Sequence, residues 1–296
     1  MMSTELAPIC LFTFNRLDET QQTIEALKSN NLAKWSNLYI FSDGPKDSVE
    51  SKIKVNNVRA YLTTITGFKK IDIIRSNENK GLANSVIQGV NHVFDKYNTI
   101  IVLEDDLVTS PNFLDFMNQS LQFYKKHQNI FSVSGYTMDL PSLSSLKNDV
   151  YFGYRASSWG WATWKDRWVP VDWEVKDYDE FSKNSSQRNK FLRGGSDMNR
   201  MLKKQMLGEI DSWAIRWCYH QFKYELYTVY PKVSKLISTG FNENATHTKK
   251  TKRFTTILDI SNRNQFSFQD KDFVDRTMIK EFKAKFSILN RLMDRF

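Results

Sequence analysis

Short apolar runs alternate along this chain with longer stretches in which apolar residues recur every three or four positions. APICLFTFNR stays apolar until Asn15 and Arg16 and predicts a buried strand, after which Asp18 caps a helix reaching about Ser29. NLYIFSDGPKD predicts a second strand that runs into an Asp-Gly-Pro turn, and Lys52 to Ile65 has helical periodicity. FKKIDIIRS predicts a third strand. NKGLANSVIQGVNHVFDKY sets Leu82, Val86, Val90 and Val93 or Phe94 on one helical face. TIIVLEDD predicts a fourth strand, with Ser110 and Pro111 opening the next helix as N-cap and first helical residue, and IFSVSG a fifth.

Strands alternating with helices of this length predict βαβ units: an α/β fold with a mostly parallel sheet and helices on both faces. Ligands of such sheets bind beyond the carboxyl ends of the strands. The polar residues at those ends are Asn15 and Arg16, Asp43, Arg75 to Asn77, and Glu104 to Asp106.

After Gly135 the texture changes. SSWGWATWKDRWVPVDW packs Trp159, Trp161, Trp164, Trp168 and Trp173 into a short span. The segment around EIDSWAIRW predicts two helices broken near Gly208 to Asp211, and YTVYPKVSKLISTG holds one or two strands. A polar loop, FNENATHTKKTKRF, leads to a last stretch with Ile279, Phe282, Phe286, Leu289, Met293 and Phe296 at helical steps, an amphipathic helix with a basic polar face. This predicts a domain over 1–250, in two halves of different texture, 1–135 and 136–250, followed by a basic extension over 251–296.

Composition narrows the classes. Aromatic residues make up 14% of the 296 residues and are spread along the chain, so a folded globular protein is expected. No apolar run reaches the roughly 20 residues of a membrane helix, and the first residues lack a secretory pattern. Two cysteines, Cys10 on a strand and Cys218 on a helix, suit free thiols in a reducing cytoplasm. Twelve Lys and Arg against six Asp and Glu fall between Lys249 and Phe296, which carries most of the net charge of +9. The charge points to an anionic partner such as a membrane surface, reached through the C-terminal helix. Nucleic acid is not expected, since no binding motif accompanies the charge. The same helix can instead pack on the catalytic domain or form a homodimer contact.

Glu104, Asp105 and Asp106 put three carboxylates at one strand end, where mutual repulsion calls for a cation. Hard oxygen ligands select Mg²⁺ or Mn²⁺, which bind through one or two carboxylates plus substrate phosphates.

On these residues the chain resembles the GT-A class of nucleotide-sugar glycosyltransferases, and within it the inverting N-acetylglucosaminyltransferase I type. There too Glu-Asp-Asp is followed by Leu and then Pro-x-Phe, here Leu107 and Pro111 to Phe113. The likeness runs from the first strand to about His247. It implies an inverting, metal-dependent transferase acting from a nucleotide-sugar donor, UDP-linked, with 1–135 as the nucleotide-sugar half and 136–250 as the acceptor half; the basic amphipathic tail adds a lipid-linked or surface glycan of a bacterium as the expected acceptor. It also implies roles: Thr13, Asn15 and Arg16 of TFNR on the nucleotide; Asp43 on the base; Asn77, Lys80 and Gly81 near ribose or phosphates. Asp106 becomes the metal ligand, with Glu104 and Asp105 on sugar or ribose hydroxyls. Trp159, Gly160, Trp161 and Trp213 border the sugars, and His247 lies near the diphosphate. EIDSWAIRW partly matches the segment holding the catalytic base, offering Asp211, with Glu209 close by.

Without the resemblance, each has a plain alternative. Asp43-Gly44-Pro45 makes a turn, Lys80-Gly81 caps a helix, Asp211 is a good N-cap, and Trp161, Trp164 and Trp168 fill a core. Two other functions remain: a nucleotidyltransferase, which would carry a glycine-rich basic loop absent from FTFNRLDET, and a non-catalytic glycan-binding protein.

Overall fold

The computed structural model describes residues 5–240, 253–270, 273–287 and 290. Its strands are β1 (Ile9–Thr13), β2 (Asn37–Ser42), β3 (Lys70–Arg75), β4 (Thr99–Glu104), β5 (Leu107–Thr109), β6 (Ile130–Ser134), β7 (Val150–Gly153), β8 (Trp161–Trp164), β9 (Tyr227–Pro231) and β10 (Leu236–Ser238). Its helices are α1 (Leu17–Lys28), α2 (Val49–Leu62), α3 (Leu82–Phe94), α4 (Phe113–Phe123), α5 (Lys165–Trp168), α6 (Tyr178–Lys183), α7 (Ser185–Phe191), α8 (Met198–Met206), α9 (Trp213–Lys223) and α10 (Arg276–Lys285).

Eight strands form one sheet in the order β3-β2-β1-β4-β8-β6-β9-β7, and β5 pairs with β10 in a small second sheet. The first four strands are parallel, so their carboxyl ends share one edge. β8 runs antiparallel to both β4 and β6, and β7 antiparallel to β9. The sheet is therefore mixed beyond β4, as the second half of the chain inserts its own strands.

Alternation along β1 divides the core. Ile9 and Leu11 face the layer that holds α1 and α4, while Cys10 and Phe12 face the layer of α3 and α9. Burying both faces requires near-continuous apolar strands, which β1 and β4 supply.

Several sequence expectations shift. Asp18 lies in the first turn of α1 and not at its cap; Arg16 holds that position. Ser110 and Pro111 do not open α4. The three-residue β5 follows the carboxylates, and the helix begins at Phe113. Trp161 and Trp164 lie on a strand, which hides them from a helical reading. The chain does break between α8 and α9, and Ser212, not Asp211, caps α9 by accepting from the Ile215 amide at 3.4 Å.

The C-terminal helix packs on the protein. Met278, Phe282 and Phe286 are buried, and Glu281 accepts from the Ser142 amide and hydroxyl at 3.0 and 2.6 Å. Leu289, Met293, Phe296, Arg291 and Arg295 lie outside the described residues. Among the described residues, no helix is long and apolar enough to cross a membrane.

Candidate active site

The carboxyl ends of β1, β2 and β4 open into a groove of about 880 Å³, within the roughly 300–1,000 Å³ of small-molecule sites. Thr13, Asn15, Arg16, Asp43, Gly81 and the three carboxylates of the strand end all line it. The expected convergence is thus realised by four segments far apart in the chain.

Asp105 is buried, and its placement is over-determined. The Phe14 amide donates to its carboxylate at 3.3 Å, and the Thr23 hydroxyl donates to its carbonyl at 2.9 Å. Arg16 bridges the cluster, one guanidinium nitrogen on Asp105 and the other on Asp106 at 3.0 Å. Burial works against the charge on Arg16, but the two carboxylates prevail and raise its pKa. Burial pushes Asp105 up to about 6 even with Arg16 opposing the shift. Glu104 is pushed up to about 8, by burial first and then by Asp106 and Asp105. Burial and the crowding of carboxylates thus hold Glu104 and Asp105 towards their neutral forms despite Arg16, and a divalent cation there would favour their charged forms.

The donor set fits such an ion. All three side chains offer hard oxygens, and no group of three or more His, Cys, Asp or Glu among the described residues is arranged to hold a metal unaided. A site of few protein ligands completed by substrate phosphates is the habit of Mg²⁺ and Mn²⁺. Asp106, half-exposed at the groove, is the ligand this arrangement offers.

A residue that the sequence did not single out shapes this carboxylate. After β10, the Thr239 amide donates to the Asp106 carbonyl at 2.8 Å, and Gly240 follows. A Cβ at 240 would lie 2.2 Å from Asp106 Oδ2. Gly240→Ala is therefore expected to displace the carboxylate, weaken nucleotide binding in the presence of Mn²⁺, and cost about 1–3 kcal/mol of stability. Calorimetry and urea unfolding check it; unchanged values in both would remove Gly240 from the site.

At the β2 end of the groove, Asp43 serves the rim itself. Its two carboxylate oxygens accept from the amides of Gly44, Lys80 and Gly81 and from the Asn79 side chain, at 2.9 to 3.2 Å. Arg59, missed in the sequence because a helical arginine carries no motif, ties the ends of β2 and β3 by donating to the carbonyls of Asp43 and Ser76 at 3.2 and 2.6 Å. Asn77 is exposed and off the groove, and Asn79 takes the inward place. The Lys80 side chain donates to Gln88 at 2.8 Å. Thr13 Oγ1 is buried with no hydrogen-bond partner among the described residues.

The tryptophans separate into two roles. Trp161 and Trp213 are core residues: Trp161 stacks on Trp168 with centroids 5.4 Å apart and meets Trp213 at 5.2 Å. Neither lines the groove, so the sugar-pocket role does not fall to them. Trp159 does line it, held edge-on by Tyr136 at 4.7 Å and Phe254 at 5.5 Å. Gly160 makes the division possible: at φ +51° it turns the chain so that Trp159 faces the groove and Trp161 the core, and a Cβ there would lie 2.0 Å from Leu236. His247 lies outside the described residues.

Asp211 is exposed just ahead of α9, paired with Arg216 at 3.1 Å. Its neighbour Ser212 lines a second cavity that shares Trp159 and Phe254 with the groove. Glu209 is paired instead with Lys204, at 3.1 Å.

Comparison with protein families matches residues 9–210 to glycosyl transferase family 2. The chain belongs to that family. The matched span runs from β1 through the carboxylate cluster and α8, and leaves α9, β9, β10 and the C-terminal segment outside it. The family 2 chain is a glycosyltransferase with a mostly parallel sheet, as its sequence led one to expect. Likeness to solved structures is remote. A mannosyltransferase from Pyrobaculum calidifontis, in complex with GDP-Man and Mn²⁺, is 9% identical with a TM-score of 0.43, over 74% of this chain and 70% of that one. The galactosyltransferase LgtC, in complex with donor and acceptor sugar analogues, is 10% identical with a TM-score of 0.36, over 72% and 70%. Glucosyl-3-phosphoglycerate synthase from Mycobacterium tuberculosis, in complex with Mn²⁺, UDP-Glc and phosphoglyceric acid, is 11% identical with a TM-score of 0.32, over 55% and 58%. No curated protein sequence matches this family 2 chain.

Proposed function

We propose that this family 2 glycosyltransferase is inverting and metal-dependent, moving a sugar from a UDP-linked donor to a hydroxyl of a growing bacterial surface glycan. The observation that carries the metal-dependent donor reading is the crowded cluster of Glu104, Asp105 and Asp106, set beside Thr13, Asn15 and Arg16 in one groove. A divalent cation, Mn²⁺ or Mg²⁺, bound there supplies Lewis-acid stabilisation of the departing diphosphate. Arg16 adds a fixed positive charge at the same place. Glu104 and Asp105 then orient donor hydroxyls, and Trp159 offers a ring face to a sugar.

Asp211 is the base in this reading. It takes the acceptor proton as the new bond forms on the face opposite the leaving diphosphate, so the anomeric configuration inverts. Its exposure, and the place of Ser212 in the adjoining cavity, support that role. Proton NMR of the product formed from a panel of nucleotide sugars tests the reading: transfer from a UDP-sugar with an inverted anomeric centre is expected. Retained configuration would refute inversion, and preference for another nucleotide would refute the donor assignment.

For the acceptor, the basic outer side of α10 supports contact with an anionic membrane that carries the glycan. Lys280 is exposed and Lys283 and Lys285 are half-exposed. Because the apolar face of α10 is used in packing, charge reversal is a better probe than truncation. Reversing Lys280 and Lys283 to Glu is expected to reduce flotation with anionic liposomes; equal flotation would rule out the membrane as the partner of this face.

A further inference from the structure

We propose that the C-terminal segment, which lies outside the family-matched span, builds one wall of a saccharide subsite and sets which acceptor this enzyme takes. The inference rests on the transferase reading above. The cavity beside the donor groove measures about 240 Å³, and Phe254, Phe282 and Phe286 contribute to its lining. It adjoins the groove, since Trp159 and Phe254 line both. An occupant therefore lies next to the place where the donor's sugar is delivered.

The lining chemistry selects a neutral sugar unit. The aromatic side chains of Trp159, Phe254 and Phe286 give apolar walls suited to the C–H faces of a pyranose, and the hydroxyls of Ser157, Ser158 and Ser212 suit its hydroxyls. Among the described lining residues the cation is Arg155, which is already neutralised: it donates to both carboxylate oxygens of Asp197, at 2.8 and 3.2 Å.

The wall is fixed in place. The Arg155 guanidinium lies 4.2 Å from the Phe286 ring centroid, the Phe286 carbonyl accepts from the Ser196 hydroxyl, and Phe282 meets Tyr230 at 5.7 Å. The helix is a preorganised part of the pocket, which lowers the cost of binding.

Saturation-transfer NMR with the methyl glycosides of neutral hexoses and N-acetylhexosamines tests this on the full chain, beside calorimetry with UDP and Mn²⁺. Wild type is expected to bind at least one glycoside. Phe286→Leu, and independently the half-buried Phe254→Ala, are expected to bind it roughly tenfold more weakly with UDP affinity unchanged. Equal glycoside affinity in either folded variant, or no glycoside bound by wild type, would overturn the inference. Failure of UDP binding with glycoside binding intact would refute the donor reading alone.

Discussion

An Asp211→Asn enzyme is expected to transfer sugar roughly 10²–10⁴-fold more slowly than wild type while binding its donor normally. Asn keeps the shape of the side chain and removes only its capacity to accept a proton. Donor affinity should survive because Asp211 lies outside the groove lined by Glu104, Asp105 and Asp106. Folding should survive as well, since α9 is capped by Ser212 and the half-buried Arg216, on losing the charge of Asp211, keeps its bonds to the Ser212 and Trp173 carbonyls. Glu209→Gln is the matched control, because Glu209 lies two residues away and is likewise in an ion pair, with Lys204. Single-turnover transfer checks the prediction; full activity in Asp211→Asn would move the base to another carboxylate.

Lys235→Ala is expected to destabilise the protein by about 3–5 kcal/mol, the cost of leaving a buried charge without its partner. Lys235 is 2% exposed and bonded to Asp259, its ammonium 4.4 Å from the Phe266 ring centroid. Asp259 also accepts from Asn112 at 3.2 Å, and its amide donates to the Ser234 carbonyl at 2.8 Å. The pair therefore pins the C-terminal segment to the strand that delivers Gly240 to Asp106. Burial opposes the charge on Asp259, and the bonds from Lys235 and Ser261 outweigh it, holding the carboxyl at about 2. A depressed carboxylate gives stability that is present above its unfolded value near 4 and is lost as pH falls towards 2. Urea unfolding is expected to show this acid loss in wild type and not in Lys235→Met/Asp259→Leu, a double variant whose neutral-pH stability should stay near that of wild type. A change below about 1 kcal/mol in Lys235→Ala would show the pair to be incidental.

What the sequence made legible was local. The apolar runs of β1 to β4 and their polar ends are contiguous in the chain, so Arg16, Asp43 and Asp106 could be placed on one rim from the residue pattern alone. The break between α8 and α9 was visible for the same reason. What it hid depends on distant partners. β5 and β10 are three residues each and owe their existence to pairing across more than a hundred positions. Gly240 matters only because Asp106 stands against it, and Asn79 displaces Asn77 because the loop folds onto Asp43. Trp161 and Trp213 have the composition of a sugar platform, and only packing shows them inside the core. The buried side of α10 likewise became apparent once Ser142, Ser196 and Tyr230 were found against it.

In the proposed mechanism, Asp106 at the end of β4 couples metal to nucleotide. Calorimetric titration of UDP with and without Mn²⁺, on wild type and Asp106→Asn, tests this most directly. The expected result is that Mn²⁺ tightens UDP binding to wild type by roughly 5- to 150-fold and leaves Asp106→Asn unchanged. Metal-independent UDP binding by wild type, or an undiminished Mn²⁺ effect in the variant, would contradict it.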